Sequence, residues 1–407
     1  MQAKKTTQAH SCPGQPGPGI SSGAVVNLGA QKDILIKRAR SKFFSFHLSK
    51  ALADLNSPLA PAYKRSLNCG AIITQTGNRL TSTYCGARWC VICNRIRTGK
   101  MINHYQPHLS DMYQPHFITL TIPNIKGNYV DLWAEISHVQ KWCHKTFDLL
   151  RKYNLRYKGF RKIEVSYNPD ENSFHPHLHI LTDGFITDFS NDELNLKTIW
   201  RIWRNRGLNK KRFAVLVNLY NTGKIQAGYF KGELLLQLWL KSFPGAKRVA
   251  QDVTQATPGT LKELFKYSAK IITKRKALST YTWSIEEYTT ANGERREIMK
   301  RKLSPASMAI YIDALDTIYR ALYRKRVFQP IGYDKAELKY FNEMLEGNIQ
   351  DDLQAVEFTT LNPDESTAYI WTGNDWQEII NGQRLTGFVP IDIDKRRVDA
   401  FVYIDSG

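Results

Sequence analysis

Alternating apolar and polar positions predict several β-strands in the middle of the chain. The segment 116–124 (HFITLTIPN) alternates until Pro123, and the segments 161–168 (RKIEVSYN) and 175–184 (HPHLHILTDG) flank a short polar turn. Another strand is predicted near 247–255. Apolar residues at helical spacing predict helices over about 31–56, 130–153, 192–206, 260–274 and 305–327. Because short turns join neighbouring strands, the pattern favours an α+β fold, with a central antiparallel sheet flanked by helices, over a doubly wound parallel sheet.

Composition along the chain predicts five parts. Residues 1–30 contain the run CPGQPGPG and are expected to form a flexible leader. An N-terminal helix with a cysteine knuckle follows at 31–110, and a sheet-bearing domain at 111–280. The last two parts are a basic helical extension at 281–345 and an acidic β-rich end at 346–407.

Charge is distributed unevenly. The chain holds 57 Lys+Arg and 37 Asp+Glu, a net charge of +20. Residues 331–407 hold 6 Lys+Arg and 15 Asp+Glu, a net of −9, so residues 1–330 hold 51 and 22, a net of +29. This excess indicates an acidic partner, for which nucleic acid is a stronger candidate than an anionic membrane surface.

The sequence shows no sign of membrane insertion or export. No stretch approaches the ~18 consecutive apolar residues of a membrane-spanning helix. Residues 1–29 are polar and lack the apolar run of a signal peptide. We therefore expect a cytoplasmic protein without a membrane partner.

Four of the six cysteines lie close together in the sequence, in the segments NCG and TYCGARWCVICNR. Cys90 and Cys93 form a Cys-x-x-Cys pair, and Cys85 and Cys69 can complete a tetrahedral thiolate shell for Zn²⁺. His104 is an alternative fourth ligand, and the other interpretation is a group of reduced, partly buried cysteines. A structural zinc site would stabilise a small module and would not specify a reaction.

The predicted strand at 173–181 (SFHPHLHIL) carries histidines at alternate positions. His175, His177 and His179 share one face, while apolar residues share the other. Such neighbours lie about 6.6–7 Å apart, near enough for two imidazoles to bind one metal ion such as Mn²⁺ or Zn²⁺. Glu164 is a candidate third ligand, because hairpin pairing of the two strands would bring its carboxylate near the histidines. The alternative is that these are solvated strand residues.

The segment TLKELFKYSAKIITK carries a second candidate group. On the predicted helix Glu263 and Tyr267 are four residues apart and share a face, with Lys270 three residues further along. A tyrosine hydroxyl can attack phosphorus to form a covalent phosphotyrosine, Lys270 can bind the phosphate, and Glu263 can serve as a base for water. Alternatively, Thr260-x-x-Glu263 is a capping box and Tyr267 is a half-buried aromatic residue.

The segment 199–213 (IWRIWRNRGLNKKRF) interleaves tryptophans with cations. Aromatic rings can stack on bases while cations contact phosphates. The alternative is that the tryptophans pack into the core and the cations stay solvated. The candidate DNA-binding residues are Trp200, Arg201, Trp203, Arg204, Lys210, Lys211 and Arg212.

The strand before Pro123, the histidine strand and the segment around Tyr267 resemble, in this order, the three motifs of rolling-circle plasmid replication initiators. These initiators are HUH (His-hydrophobic-His) endonucleases. The closest branch has a single tyrosine with a glutamate four residues before it. The runs CGARWCVICNR and RKRVFQPIGYDKAEL also resemble this branch, so that the likeness covers about 66–345. The three segments are FITLTIPN (117–124), HPHLHIL (175–181) and ELFKYSAK (263–270).

The resemblance assigns a role to each matched residue. It implies that His177 and His179 bind the metal, with Glu164 completing the shell, while the role of His175 stays open. It implies that Tyr267 is the nucleophile. By the same match, Glu263 activates the water that ends the cycle, and Lys270 is the lysine of a Tyr-x-x-Lys motif.

The resemblance also implies a fold and an activity. The fold is a central antiparallel sheet of HUH or split βαβ type, here with a small N-terminal four-cysteine zinc module and a C-terminal acidic extension. With Mg²⁺ or Mn²⁺, the protein would nick and rejoin single-stranded or hairpin DNA at the plasmid origin. The 5′-phosphotyrosine intermediate leaves a 3′-OH that primes synthesis. Expected partners are origin DNA, a host helicase, a DNA polymerase and a second copy of the chain.

Two rival interpretations remain open from the sequence. The first is another HUH enzyme, either a single-strand transposase or a mobilisation relaxase, which a second tyrosine or three metal-binding histidines would favour. The second is a zinc-knuckle DNA-binding regulator without catalytic activity, in which the histidines and Tyr267 are structural.

Overall fold

The structure is a computed structural model, and it confirms the predicted α+β class with antiparallel sheets. No helix among the described residues is long and apolar enough to cross a membrane. The residues that the structure describes are 28–76, 79–155, 157–168, 171–184, 196–257, 264, 269–270, 281–289, 295–303, 305–339, 366–373 and 375–388.

The helices and strands largely follow the sequence pattern, with boundaries shifted by a few residues. The described helices are α1 Leu28–Ala53, α2 Ala60–Leu67, α3 Val91–Ser110, α4 Tyr129–Lys152, α5 Leu196–Asn205, α6 Lys210–Asn221, α7 Ala227–Ser242 and α8 Pro305–Leu322. The described strands are β1 Ile72–Thr76, β2 Arg79–Ser82, β3 His116–Thr121, β4 Gly159–Asn168, β5 Ser173–Thr182, β6 Asp252–Gln255, β7 Ala269–Lys270, β8 Tyr281–Thr289, β9 Arg295–Leu303, β10 Phe328–Ile331, β11 Ser366–Trp371 and β12 Trp376–Glu378.

A central sheet in the order β10-β4-β5-β3-β6 positions the candidate residues. These strands pair antiparallel, and the predicted hairpin of β4 and β5 places Glu164 opposite His177. The short strand β7 pairs parallel with β4 at Val165 and Ser166, beyond the end of β10. The edge of β4 is therefore shared by two strands that lie far apart in the sequence.

The two faces of this sheet have different environments. The face with Ile118, Leu178 and Ile180 forms the main core, against which α4, α5, α6, α7 and α8 pack. Over the end of the histidine face, α3 contributes Tyr105 and Leu109 to a smaller cluster. Because most helices cover the apolar face, the middle of the histidine face keeps its polar side chains.

A second, four-stranded sheet has the order β12-β11-β1-β2 and packs on α1. Its β11 pairs antiparallel with β1, so that Ile72 lies opposite Ile370. The shared core includes Tyr369 and Trp376 from the C-terminal strands. The described residues of the acidic C-terminal part thus complete the N-terminal module, whereas the sequence suggested a separate unit.

Two other expectations differ from the structure. The predicted helix at 260–274 does not run through Ala269–Lys270, which form β7, because these backbone groups bond to the open edge of β4. The part at 281–345 was expected to be helical. It begins instead with two strands, Tyr281–Thr289 and Arg295–Leu303, which pair antiparallel through their backbone hydrogen bonds.

Candidate metal and nucleic-acid sites

The three histidines of β5 form a row on one face of the central sheet. Neighbouring rings are stacked, with centroids 6.3 Å apart for His175 and His177 and 6.2 Å apart for His177 and His179. This spacing is that of alternate strand residues, as the sequence predicted. The row faces away from the main core, so that its ring nitrogens remain accessible to partners on the neighbouring strands.

The Glu164 carboxylate lies next to His179 and is almost fully buried. Its Oε2 is 3.6 Å from His179 Nε2, and its side chain is 2% exposed. The Nζ of Lys162, also 2% exposed, lies 3.3 Å from the same oxygen. A carboxylate this deeply buried needs a cationic partner, and Lys162 supplies one here.

Hydroxyl groups from both neighbouring strands contact the histidines. The Thr119 Oγ1 lies 3.2 Å from His179 Nδ1, and Ser166 Oγ lies 3.4 Å from His177 Nε2. The contact at Nδ1 orients the His179 ring with Nε2 towards Glu164. Thr119, Ser166 and Lys162 were not predicted as site residues, although the alternation of β3 and β4 puts all three on the histidine face.

The donors on this face fit a divalent cation in their chemistry. Two imidazoles and a carboxylate suit Mn²⁺ and similar ions. The distance of 3.6 Å between His179 Nε2 and Glu164 Oε2 is close to the ~3 Å expected between adjacent ligands bonded at about 2.1 Å. The three residues do not converge as tightly as the cysteines do, since among the described residues only the cysteines bring three or more ligand atoms within 4.8 Å of one another.

The predicted tyrosine motif lies only partly within the described residues. Glu263 and Tyr267 fall outside them, and for Lys270 only the backbone is described. On one side of the motif, Leu264 is fully buried in the small cluster on the histidine face, with Phe117 and Phe160. On the other side, Ala269 and Lys270 pair with β4.

The four predicted cysteine ligands come together in one cluster. The sulfurs of Cys69, Cys85, Cys90 and Cys93 all lie within 4.8 Å of one another. The Sγ atoms of Cys69 and Cys93 are 3.4 Å apart, and those of Cys85 and Cys93 are 3.6 Å apart. A tetrahedral Zn²⁺ with Zn–S bonds of about 2.3 Å requires sulfurs about 3.8 Å apart, so the cluster fits this ion.

Residues of α1 and α2 surround the cysteine cluster. The buried Nζ of Lys42 donates to the backbone oxygens of Leu67 at 2.7 Å and Cys69 at 2.6 Å. The pKa of Lys42 is lowered to about 8, because the effect of burial is larger than the opposing effect of the neighbouring cysteines, which raise the pKa. Ser45 Oγ lies 3.4 Å from Cys90 Sγ. These contacts fix the loop that carries Cys69 against α1.

The two tryptophans of the basic segment pack inwards. Trp203 is fully buried, and its Nε1 donates to the Asn209 backbone oxygen at 2.9 Å. Trp200 is half-buried and its ring contacts Phe213 at 4.8 Å between centroids. Trp203 therefore packs into the core, as the alternative interpretation of this segment has it, and its ring has no exposed face for stacking on a base.

The cations of this segment are divided between solvent and the core. Arg201, Arg204, Lys210 and Lys211 are exposed. Arg212, by contrast, lies 2.9 Å from the fully buried carboxylate of Glu233 on α7, which also binds Arg248 at 2.5 Å. Because α5, α6 and α7 pack on the apolar face of the sheet, these cations lie on the side opposite the histidine row.

The structure defines an α+β protein whose antiparallel sheet bears a histidine row and is joined to a four-cysteine module. The Rep_1 family, described as "Replication protein", matches residues 78–190. "Protein rep" of Bacillus amyloliquefaciens is 28% identical over 103 residues, which are 24% of this chain and 30% of that protein. "Protein rep" of Streptococcus pneumoniae serotype 2 is 27% identical over 210 residues, 46% of this chain and 63% of that protein.

These matches support the predicted resemblance, because part of the chain is similar to replication (Rep) proteins. The aligned part spans from 30% to 63% of the length of these relatives. No solved structure is significantly similar to the chain. The matched region contains β3, β4 and β5, with the histidine row and Glu164, as well as three of the four cysteines.

Proposed function

We propose that the protein is a rolling-circle plasmid replication initiator that nicks and rejoins one DNA strand at the origin by metal-dependent transesterification. The observation that carries the proposal is that the Rep match covers the strands on which His177, His179 and Glu164 face one another. On this proposal the central sheet is of the HUH type and the histidine face is the nicking site.

His177, His179 and Glu164 are the proposed ligands of Mg²⁺ or Mn²⁺. When bound, the cation supplies Lewis-acid polarisation of the scissile phosphate. Thr119 holds the His179 ring in orientation through Nδ1. Lys162 keeps the buried Glu164 carboxylate paired. His175 is left outside the proposed ligand set.

Tyr267 is the proposed nucleophile. Support comes from its sequence neighbours, because Leu264 is buried on the histidine face and Ala269 pairs with β4 beside Ser166. Only four residues link these two points of contact, so the segment that contains Tyr267 is short and is tied to the sheet at both ends.

The proposed reaction proceeds in three balanced steps. In the first, the Tyr267 hydroxyl gives up its proton as Oη attacks the phosphorus, the bond from phosphorus to O3′ breaks, and O3′ takes up a proton to give the 3′-OH primer. Lys270 contacts the phosphate and offsets its negative charge. In the second, Glu263 accepts a proton from water, the water oxygen attacks the phosphorus at the regenerated junction, the bond from that phosphorus to O3′ breaks, and O3′ takes up a proton to give a new 3′-OH. In the third, this 3′-OH gives up its proton and attacks the phosphotyrosine, the bond from phosphorus to Tyr267 Oη breaks, and Oη takes up a proton, so that the strand is rejoined and the tyrosine hydroxyl is regenerated.

The cysteine cluster is proposed to hold a structural Zn²⁺. Its role is to stabilise the N-terminal module, from which α3 extends to the histidine face. The proposed partners of the whole protein are origin DNA, a host helicase, a DNA polymerase and a second copy of the chain. The rival transposase or relaxase differs in its DNA substrate, and the rival regulator would lack cleavage.

The proposal is tested with labelled oligonucleotides tiled across the origin of the replicon that carries the gene. With Mn²⁺, the full-length protein should cut one of them and become linked to the 5′-phosphate of the downstream product. Tyr267→Phe should abolish the adduct while DNA binding stays, and His177→Ala should abolish cutting at low Mn²⁺. Cutting at a transposon end or at a transfer origin alone would favour the rival HUH enzymes, and tight binding without cutting would favour the regulator.

A further inference from the structure

The segment that contains α5 and α6 is strongly basic. Residues 196–232 include no Asp or Glu. They hold nine cations, which are Lys197, Arg201, Arg204, Arg206, Lys210, Lys211, Arg212, Lys224 and Lys231. Because α5 and α6 belong to the core on the apolar face of the sheet, the exposed cations of this segment lie on the side opposite the histidine row.

The buried aromatic rings decide what kind of nucleic acid this surface suits. Trp203 is fully buried, and Trp200 packs on Phe213. Non-specific binding of a single strand relies on aromatic rings that stack on its bases. Since Trp203 is fully buried and the half-buried Trp200 packs on Phe213, the exposed surface offers cations and little aromatic ring for stacking.

The exposed face of α6 has the composition of a helix that enters a DNA groove. Lys211, Ala214, Val215 and Asn218 are exposed and follow helical spacing, so that they form one stripe. A helix with its side chains is about 10–12 Å wide, which matches the ~12 Å major groove of B-DNA. Small side chains permit close approach to base edges, and an Asn amide can bind adenine.

The start of α6 is built to contact phosphate. Asn209 caps the helix by accepting from the Arg212 backbone N at 3.1 Å. The exposed cations Lys210 and Lys211 occupy the first turn, where backbone N–H groups also favour an anion. Arg212 is held by the buried Glu233 of α7, which fixes α6 against its neighbour at this end.

We infer that α6 docks in the major groove of double-stranded DNA, with the exposed cations of α5 on the adjoining phosphates. This inference rests on the proposed function and adds a second DNA contact to it. The duplex beside the nick site is held behind the sheet, while the strand to be cut is held on the histidine face. The surface recognises duplex DNA, and the test below compares binding of a duplex with binding of a single strand.

The test measures binding of the full-length protein to a labelled 30-base-pair duplex of mixed sequence and to one of its single strands, without divalent cation. The variant Ala214→Glu places a carboxylate in the middle of the exposed stripe without touching the core. The matched control Lys335→Glu makes the net charge more negative than Ala214→Glu does. It lies just after β10, at the opposite edge of the sheet from β6, against which α7 packs.

For Ala214→Glu we expect duplex affinity to fall at least tenfold and single-strand affinity to fall less than threefold. Lys335→Glu should change duplex affinity less than twofold. The double variant Lys210→Ala/Lys211→Ala should reduce the slope of log affinity against log salt by about 1.8, at about 0.9 per phosphate contact. Circular dichroism and thermal unfolding check that each variant folds as the parent does.

Three results would overturn the inference: equal loss on both probes, loss on the single strand alone, or no loss with Ala214→Glu. The outcome is separate from that of the proposed function. A protein that binds duplex through α6 but never cuts DNA would refute the proposed function alone. A protein that cuts, yet binds duplex equally well as Ala214→Glu, would refute this inference alone.

Discussion

Replacing Trp376 by alanine should loosen the cysteine module, although Trp376 lies far beyond the four clustered cysteines in the sequence. Its side chain is 3% exposed and belongs to the core that α1 forms with the second sheet. Its Nε1 donates to the backbone oxygen of Gly70 at 2.9 Å, next to the proposed ligand Cys69. The substitution therefore removes both core packing and a support of the ligand loop.

The magnitude follows from the burial of the ring. Truncating a buried tryptophan to alanine costs about 3–5 kcal/mol, and this range already contains the lost contacts of the ring. If Zn²⁺ leaves the module only when the module opens, about 4 kcal/mol corresponds to a rise of several hundredfold in the open population. The metal should then be lost to a chelator at least a hundredfold faster.

The assay follows Zn²⁺ transfer from the purified protein to a coloured chelator in excess. Ile380→Ala is the matched control, because Ile380 follows the same strand and is 85% exposed. Its loss should change stability by no more than about 0.5 kcal/mol. Release from Trp376→Ala at the rate of this control would refute the conclusion that the C-terminal strands support the module.

Three further predictions concern the sheet and the cysteines. Lys162→Met should destabilise the protein by about 3–5 kcal/mol in urea unfolding, because it removes a buried cation from the 3.3 Å contact with Glu164; changing both residues to neutral ones should restore part of the loss. Gly159→Ala should cost about 3 kcal/mol or more in the same assay, since a Cβ there would lie 1.9 Å from a backbone oxygen of β5; unchanged unfolding would contradict the register. Cys93→Ser should abolish bound zinc by elemental analysis, and full zinc content would show that the ion lies elsewhere.

The local pattern of the sequence was sufficient to predict the histidine face. Strict alternation placed His175, His177 and His179 together, and the short turn after β4 placed Glu164 opposite. The Cys-x-x-Cys spacing similarly predicted the cysteine cluster, which the structure brings within ligand distance. In each case the contacts arise between residues close in sequence, where periodicity and turn length decide the geometry.

Contacts between distant segments could not be predicted in this way. Nothing in the acidic C-terminal part indicates that β11 pairs with β1, because strand edges of similar apolar character are interchangeable in sequence. The burial of Trp203 likewise depends on contacts beyond its own helix, such as that with Phe213 of α6. The helix α7, which belongs to the same core, was not predicted. Short strands such as β7 depend on an edge that other segments leave open.

The proposed function requires the protein to cut DNA and to remain attached to it through Tyr267. The most direct measurement is mass spectrometry of the protease-digested adduct, formed with Mn²⁺ and an oligonucleotide that the protein cuts. We expect a nucleotide joined by its 5′-phosphate to the peptide that contains Tyr267, together with a free 3′-OH on the other product. Attachment at a different residue, or cut products that both lack protein, would contradict it.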